Sequence, residues 1–262
     1  MKSKKVVVLS DLHCGHRSGL TPPGWQYSKE ASDETNRRFA DMQSSMWNWF
    51  SDSIKKLGKI DVLIINGDAI DGKGERSGST ELIEPDMLKQ ADMATEIIHH
   101  INAAKVFMTN GTPYHTGKGE DIETVIAKGV NAEIRGHHFI DINGVMFDVK
   151  HKTSGSNVPH GRFTAIARDA LWNEIWSLNK NGQPLADVVI RSHVHYLAYC
   201  GDNRKLGIIT PALQGFGSKY GERQCSGMVD VGFIYFDVNN GGYSWSEELF
   251  YDEYLKAPIS RA

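Results

Sequence analysis

Cysteine and long apolar runs are scarce in this sequence, and each shortage excludes a class of protein. Its three cysteines, Cys14, Cys200 and Cys225, are odd in number and form no CxxC pair, which argues against a disulfide framework. No run approaches the roughly 20 apolar residues that a membrane span needs. The apolar run behind the basic start covers only Val6 to Leu9, too short for a signal-peptide core. We therefore expect a cytoplasmic protein without a membrane partner.

The sequence also lacks an excess of charge of either sign. Its formal net charge is −3, so nothing global indicates a nucleic-acid partner, although a local basic patch would still attract one. Hydrophobic residues make up 40% and charged residues 23% of the 262 residues, which is typical of a globular protein. Because no linker-like or repetitive tract interrupts the chain, we predict one domain over residues 1–262. Within it, the tail over 251–262 is expected to be peripheral and the charged end from Glu247 onward solvated.

Apolar patterning predicts alternating strands and helices in the first half and mixed helix and antiparallel strand in the second. In the first half, strands are predicted at Lys5–Ser10, Asp61–Asn66 and Lys105–Thr109, and helices at Ala31–Leu57, from Pro85 onward and at Glu120–Glu133. In the second half, a hairpin (Phe139–Ile142 and Val145–Val149 around Asn143-Gly144), a helix (Phe163–Leu178) and a strand (Asp187–Ile190) precede several further β segments. The fold class predicted is a layered α/β domain.

Residues that can bind metals follow the predicted strands. They are Asp11 and His13, Asp68, the segment Asn110 to His115, His151, and His193 with His195. Because ligands bind beyond the carboxyl ends of strands in open α/β sheets, these positions should share one edge. In Asp11-x-His13, alternate residues of an extended segment point the same way and would reach one ion. If His193-x-His195 turns sharply, its two imidazoles would instead serve two ions.

Each motif taken alone has an ordinary structural explanation. A lone Asp-x-His more often has a structural role, and Gly67-Asp68 after a strand is typical of a turn. Asp71 fits a turn better than a position behind a metal ligand. The combination at strand ends is what favours a metal centre. Mixed oxygen and imidazole donors suit Mn²⁺, Fe or Zn²⁺ better than Ca²⁺, and two ions about 3.5–4 Å apart can acidify a water and screen a phosphoryl oxygen.

In order and composition these motifs resemble those of the calcineurin-like metallophosphoesterase superfamily. The family pattern D-x-H, G-D-x-x-D, G-N-H-D/E, a lone His and G-H-x-H is matched over roughly residues 5 to 200. The matching segments are Asp11-Leu12-His13, Gly67-Asp68-Ala69-Ile70-Asp71, Asn110 to His115, His151 and Ser192-His193-Val194-His195. The resemblance implies a four-layer β-sandwich of two mixed sheets flanked by helices.

The resemblance also implies a role for each matched residue. Asp11, His13 and His195 would bind one metal, His151 and His193 a second, and Asp68 would bridge them. His115 would contact the phosphate and protonate the leaving oxygen. The third block departs from the family, because Thr112 stands where an asparagine should follow Gly111 and the histidine comes two positions late. Asn110, Thr112 or water would then complete the second metal site.

The leading hypothesis is a divalent-metal-dependent phosphoesterase that uses a metal-bridging hydroxide, with two Mn²⁺ favoured and Fe or Zn²⁺ as alternatives. Four long loops with basic and aromatic side chains favour a phosphodiester substrate, a nucleotide or nucleic acid, over a phosphomonoester or phosphoprotein. These loops span Cys14–Ser32, Lys73–Ile83, Lys152–His160 and Gln214–Gly227. The alternatives are a non-catalytic metal-binding scaffold of the same fold and, with less support, a metal amidohydrolase on a barrel. The sequence does not fix the oligomeric state.

Overall fold

The computed structural model of the protein describes residues 2–117, 121–218, 229–256 and 259–260. Eleven strands in these residues are β1 (Lys4–Leu9), β2 (Val62–Asn66), β3 (Lys105–Thr109), β4 (Glu133–Arg135), β5 (His138–Ile142), β6 (Val145–Lys152), β7 (Val188–Ser192), β8 (Ala198–Gly201), β9 (Leu206–Ile209), β10 (Gly232–Asn239) and β11 (Gly242–Leu249). The α-helices are α1 (Glu34–Leu57), α2 (Met87–Ile101), α3 (Pro113–Thr116), α4 (Ile122–Gly129) and α5 (Arg162–Ser177).

The strands form two mixed sheets. The first has the order β11-β10-β1-β2-β3-β4, in which β1 to β4 are parallel and β10 and β11 antiparallel. The second has the order β5-β6-β7-β9-β8, with β6, β7 and β9 parallel and the two edge strands antiparallel. Two separate open sheets do not fit the barrel of a metal amidohydrolase.

Alternation along the strands builds four layers. In β1, Val6 and Val8 face the second sheet and join the core between the sheets, which includes Phe147. Val7 and Leu9 face the opposite way and pack under α1, α2 and α4, because successive side chains of a strand point to opposite faces. A smaller core joins α5 to the outer face of the second sheet. The predicted sandwich of two mixed sheets flanked by helices is confirmed.

Helices α1 and α2 both begin slightly later than predicted. Helix α1 starts at Glu34 and not at Ala31, because the Asp33 side chain accepts a hydrogen bond from the backbone N–H of Asn36 and caps the helix. In α2, Asp86 is the N-cap and Pro85 lies before the helix. The apolar spacing of α2 predicts that Leu88 faces inward, but Leu88 is exposed and the adjacent Met87 is buried instead.

The segment predicted as one helix over Glu120–Glu133 is divided between two elements, and its first residue lies outside the described residues. Helix α4 ends at Gly129, and Glu133–Arg135 forms β4 beside β3. This edge strand of three residues has only one apolar side chain, Ile134, too few to show a strand period.

Helix α5 packs with a different face from the one that its apolar residues predict. The three- and four-residue spacing of its apolar residues predicts that Phe163, Leu171 and Ile175 face the core, but they are 48%, 59% and 40% exposed. The buried face contains Ile166 and the polar Asn173. Asn173 donates to Asp148 Oδ2 and Pro184 O, and accepts from Ala186 N–H and Lys205 Nζ. These bonds, invisible to an apolar pattern, set the rotation of the helix.

The predicted solvated end is instead partly structured. Glu247 lies in β11, Phe250 is buried, and Leu255 of a 3₁₀ turn packs against the core beneath α1. Arg38 of α1 donates to the carbonyl of Lys256. None of the helices in the described ranges combines the length and apolarity required to cross a bilayer.

Candidate metal centre

The predicted ligands converge at the carboxyl ends of strands from both sheets. Asp11 and His13 follow β1, and Asp68 follows β2 in the first sheet. His151 lies near the end of β6, and His193 and His195 follow β7 in the second. Within the described residues, these six side chains form two groups whose ligand atoms lie within 4.8 Å of one another: Asp11, His13 and His195, and Asp11, Asp68, His151 and His193.

The first group consists of one carboxylate and two imidazoles. The Nε2 atoms of His13 and His195 are 3.2 Å apart. His195 Nε2 lies 3.3 Å and His13 Nε2 3.9 Å from Asp11 Oδ1. Three ligand atoms from three chain segments therefore face one small volume.

The second group forms around Asp68. His151 Nε2 is 3.0 Å from Asp68 Oδ2, and His193 Nδ1 is 3.8 Å from the same oxygen. Asp11 belongs to both groups, whereas the resemblance assigns the bridging position to Asp68. The two histidines after β7 serve different groups, which is the arrangement expected if that segment turns sharply.

Left-handed backbone at the ligand positions produces this convergence. Asp11, His13 and Asp68 have φ of 51°, 45° and 50°, and His193 and His195 have φ of 78° and 55°. Asp11-x-His13 is therefore not extended, and its side chains meet for a different reason from the alternation that we predicted. Such conformations cost about 1–3 kcal/mol each in non-glycine residues and cluster at functional sites.

The donor set fits a divalent cation. Asp11 Oδ1 is buried and has no hydrogen-bond partner within the part of the chain that the structure describes, an arrangement that costs free energy unless a positive charge faces it. The close pair of imidazole nitrogens needs a shared proton or a cation between them. Mixed imidazole and carboxylate donors suit Mn²⁺, Fe and Zn²⁺.

Asp71 fixes the orientation of the His13 imidazole in the first group. Its Oδ1 is 3.0 Å from His13 Nδ1, and a carboxylate behind a histidine leaves the other ring nitrogen for a metal. Burial and the neighbouring His115 lower the pKa of His13 to about 4. Burial alone would raise the pKa of Asp71, but the bond to His13 and the charge of His16 lower it to about 2. A neutral His13 therefore donates from Nδ1 and directs the lone pair of Nε2 at His195.

Opposite charges dominate the second group. Burial disfavours the ionised form of Asp68, yet the charge of His151 holds its pKa well below the ordinary value. Burial likewise opposes the charged form of His151, but Asp68 and Asp11 raise its pKa to about 10. His151 Nδ1 lies 2.6 Å from the carbonyl oxygen of Asn66 and donates to it. Nε2 therefore faces Asp68, where a cation could replace its proton.

The structure places His115 beside both groups, on the short helix α3. Its Nδ1 is 2.8 Å from the carbonyl oxygen of Asp71, and its Nε2 is 4.0 Å from Asp68 Oδ2. The ring packs edge-on against His13, with a centroid separation of 4.5 Å. Since Nδ1 donates to a carbonyl, Nε2 is the atom that faces the centre.

The side-chain hydrogen bond of Asn110 points to helix α4. Its Nδ2 donates to Asp121 Oδ2 at 3.2 Å, and its backbone N–H donates to the carbonyl of Arg135 in β4. Thr112 reaches the centre instead: its N–H donates to Asp68 Oδ1 at 2.7 Å, and its hydroxyl lies 3.2 Å from the same oxygen. At this point the altered third block supplies hydrogen bonds to Asp68 and no amide oxygen.

Glu123 is a site residue that the sequence reasoning missed. This buried carboxylate accepts from Ala69 N–H at 2.9 Å and Gly111 N–H at 2.6 Å, and so joins the loops that follow β2 and β3. Burial and the charge of Asp68 raise its pKa to about 7. The sequence does contain a pattern that indicates its burial. Glu123 stands beside Ile122 and three positions before Ile126, on the inward face of α4.

Two glycines allow these loops to approach the ligands. Gly67 has a φ of 78°, and a Cβ there would lie 2.5 Å from His151 Nδ1. A Cβ on Gly111 would lie 2.2 Å from Asp68 Oδ1. Any larger residue would therefore displace a ligand, as the close approach of backbone to a site requires glycine.

The long loops provide fewer free cations than their composition indicates. Arg17 donates to Glu81 and to the carbonyl of Gly217, and its guanidinium lies over Phe39. Lys73 and Lys152 are exposed. The fourth loop is described only as far as residue 218, so its predicted binding residues Lys219, Tyr220 and Arg223 lie outside the described residues, as does the side chain of Arg76.

Comparisons with known proteins give matches in structure only. No family model and no curated sequence matches the chain. An archaeal phosphodiesterase is 13% identical with a TM-score of 0.48, covering 94% of this chain and 99% of its own. Wild-type Vps29 from Entamoeba histolytica in complex with Zn²⁺ is also 13% identical, with a TM-score of 0.47 and coverage of 94% and 98%. A purple acid phosphatase from yellow lupin is 10% identical at 0.47, covering 95% and 52%.

Proposed function

We propose that the protein is a divalent-metal-dependent phosphoesterase that hydrolyses phosphodiesters, with nucleotides or nucleic acid as the substrate class. One observation carries the proposal: two groups of carboxylate and imidazole side chains share Asp11, whose buried Oδ1 accepts no hydrogen bond from any described residue. Asp11, His13 and His195 would hold one ion, and Asp68, His151 and His193 a second. Bound Mn²⁺, or alternatively Fe or Zn²⁺, would acidify a water and neutralise charge on the phosphoryl group.

The remaining residues of the centre would position these ligands and move a proton. Asp71 and the carbonyl of Asn66 hold the imidazoles of His13 and His151 with their second nitrogens toward the metals. Thr112 and Glu123 fix Asp68 and its loop. His115 Nε2, 4.0 Å from Asp68 Oδ2, would donate a proton to the leaving oxygen.

The test measures hydrolysis of bis(p-nitrophenyl) phosphate and p-nitrophenyl phosphate with Mn²⁺, with and without chelator. We expect metal-dependent turnover that favours the diester and is lost in Asp68→Ala. Asp92→Ala, which removes an exposed carboxylate on α2, should behave as wild type. Metal-independent or absent turnover in wild type, or full turnover in Asp68→Ala, would contradict the proposal. Preference for the monoester would favour a phosphomonoesterase or protein phosphatase.

A non-catalytic metal-binding scaffold is the second candidate, because the amide of Asn110 bonds to Asp121 and Thr112 has no amide side chain. Metal analysis separates the two functions: fewer than two bindable ions per chain, together with no turnover, supports the scaffold. Thr112→Asn places an amide after Gly111 and should increase the affinity for the more weakly bound metal ion. Thr112→Val removes only the hydroxyl and should not increase that affinity. Equal metal affinity of both variants would contradict a role of position 112 in ligation.

A further inference from the structure

A cleft lies on the outer face of the second sheet, outside the metal centre. It is lined by Lys150 of β6, Arg191 of β7, and Asp169, Trp172 and Trp176 of α5. It adjoins the face of α5 that carries the exposed Phe163, Leu171 and Ile175, a face that the apolar spacing predicts to be buried.

Two indole rings form one wall of the cleft. Trp172 and Trp176 are one helical turn apart, and their ring centroids are 6.3 Å apart at an interplanar angle of 38°. They are 47% and 38% exposed. Single exposed apolar residues are ordinary on a protein surface, but a contiguous exposed apolar patch marks a site of interaction. The pair offers a surface on which flat rings can stack.

Lys150 supplies a cation beside the rings. It lines the cleft and is exposed. It forms no ion pair with any residue in the described ranges. Its charge is therefore available to an anion.

Arg191 contributes a buried guanidinium to the cleft. Only 3% exposed, it donates from Nε to Asp169 Oδ2 at 3.0 Å and from Nη1 to Asp148 Oδ1 at 2.8 Å. These bonds hold the guanidinium rigid, and its positive charge offsets the negative charge of Asp169, the one carboxylate that lines the cleft.

The cleft adjoins the metal centre across the edge of the sheet. Lys150 directly precedes His151, and Arg191 is two residues before His193. Two strand residues span about 7 Å. A ligand that occupies the cleft would therefore lie close to a substrate held at the ligand groups.

We propose that this cleft is an accessory site for single-stranded nucleic acid, in which Trp172 and Trp176 stack on bases while Lys150 contacts a phosphate. Aromatic stacking platforms beside positive charge are how proteins bind single strands without sequence preference. Tryptophan and arginine are also enriched in protein interfaces, but lysine is depleted there, and the unpaired Lys150 favours a phosphate-bearing partner. The value of the site to catalysis rests on the proposed phosphodiesterase function; binding itself does not.

The test is fluorescence anisotropy of a labelled oligothymidylate of about 12 nucleotides with the full chain in chelator, so that no turnover is needed. Trp172→Ala should weaken binding roughly 5- to 150-fold, and Trp172→Phe should restore most of it. Lys150→Gln should make the slope of log affinity against log salt shallower by about 0.7. Leu171→Ala, which removes an exposed apolar side chain of α5 outside the cleft lining, should leave both affinity and slope unchanged.

Several results would overturn the site: no oligonucleotide binding by wild type, equal loss in Trp172→Ala and Leu171→Ala, or a salt slope unchanged in Lys150→Gln. Self-association of the wild type that Trp172→Ala abolishes, without an effect on the oligonucleotide, would instead show an interface between copies. Wild type that binds the oligonucleotide but never hydrolyses bis(p-nitrophenyl) phosphate would contradict the proposed function and leave the cleft supported.

Discussion

The Nε2 atoms of His13 and His195 lie 3.2 Å apart, although 182 residues separate them in the chain. His13 belongs to the loop after β1 and His195 to the loop after β7, so this contact joins the two sheets. Two ring nitrogens this close need a proton or a cation between them. The first ligand group is therefore arranged to hold a cation between these two nitrogens.

Mn²⁺ should stabilise the folded protein through this group. A ligand at 100 times its Kd adds about 2.7 kcal/mol, which for a chain of this size raises Tm by about 5–10 °C. Differential scanning fluorimetry of chelator-treated protein, with and without Mn²⁺, measures the shift. His195→Ala should lose much of it, and His99→Ala, on the exposed side of α2, should not. The same shift in His195→Ala as in wild type would exclude His195 as a ligand.

His115→Ala should reduce hydrolysis by about 10²- to 10⁴-fold for esters with alkyl leaving groups. The loss should be smaller for p-nitrophenyl esters, because p-nitrophenolate leaves without protonation. Steady-state kcat for both ester types measures this difference, with the exposed His160→Ala as the control. An equal loss for both leaving groups would assign His115 to substrate binding and not to proton transfer.

Gly111→Ala should abolish metal-dependent turnover, because its Cβ would lie 2.2 Å from Asp68 Oδ1 and 2.4 Å from Asp68 N. Gly136→Ala is the matched control, since a Cβ there meets nothing closer than Asn110 Oδ1 at 4.0 Å. Metal content and turnover of the two variants should differ sharply. Wild-type turnover in Gly111→Ala would show that the two loops can separate without loss of the centre.

Glu123 should affect both stability and its pH dependence. Glu123→Ala leaves two buried N–H donors unpaired, at a cost of about 1–3 kcal/mol each, whereas Glu123→Gln keeps one acceptor. The pKa of Glu123 in the folded state is about 7, above the ordinary 4.5. The stability that Glu123 contributes is therefore complete below pH 4.5 and is lost as pH rises through 7. Urea unfolding from pH 4.5 to 7.5 should show a decline in wild type that Glu123→Gln reduces. Parallel curves for the two proteins would contradict this assignment.

Asp148 should have the opposite pH dependence. Burial opposes its charge, but His137 and Arg191 outweigh burial and lower its pKa below the ordinary 3.8. The stabilisation is complete above that value and is lost as pH falls through the folded-state pKa. Asp148→Asn leaves Arg191 without this charge, which costs about 3–5 kcal/mol at neutral pH. In urea unfolding, the difference in unfolding free energy between wild type and Asp148→Asn should become smaller as pH falls. Asp92→Asn is the control. A gap that is constant with pH would mean that the charge of Asp148 is not what stabilises the fold.

The sequence predicted the layers, and it predicted which side chains would meet at the strand ends, because both follow from strong local patterns. Runs such as Val62–Asn66 are buried on both faces, and polar residues at the ends of parallel strands must share an edge. The ligand groups built on Asp11 and Asp68 are where those ends place them.

The remaining features depend on tertiary partners. Asn173 sets the rotation of α5 through bonds to residues distant in sequence, and Glu123 acts through backbone N–H groups of two other loops. The position of Asn110 was decided by Arg135 of β4, a strand too short to recognise. In each case a polar contact overrides what apolar periodicity can indicate.

The division of the ligands between the sheets has a consequence for assembly of the protein. Asp11, His13 and Asp68 come from the first sheet, and His151, His193 and His195 from the second. A complete metal centre can therefore arise only after both sheets have formed and docked, since closure of so long a loop comes late. Bound metal would therefore slow the separation of the two sheets during unfolding, and it would not initiate folding.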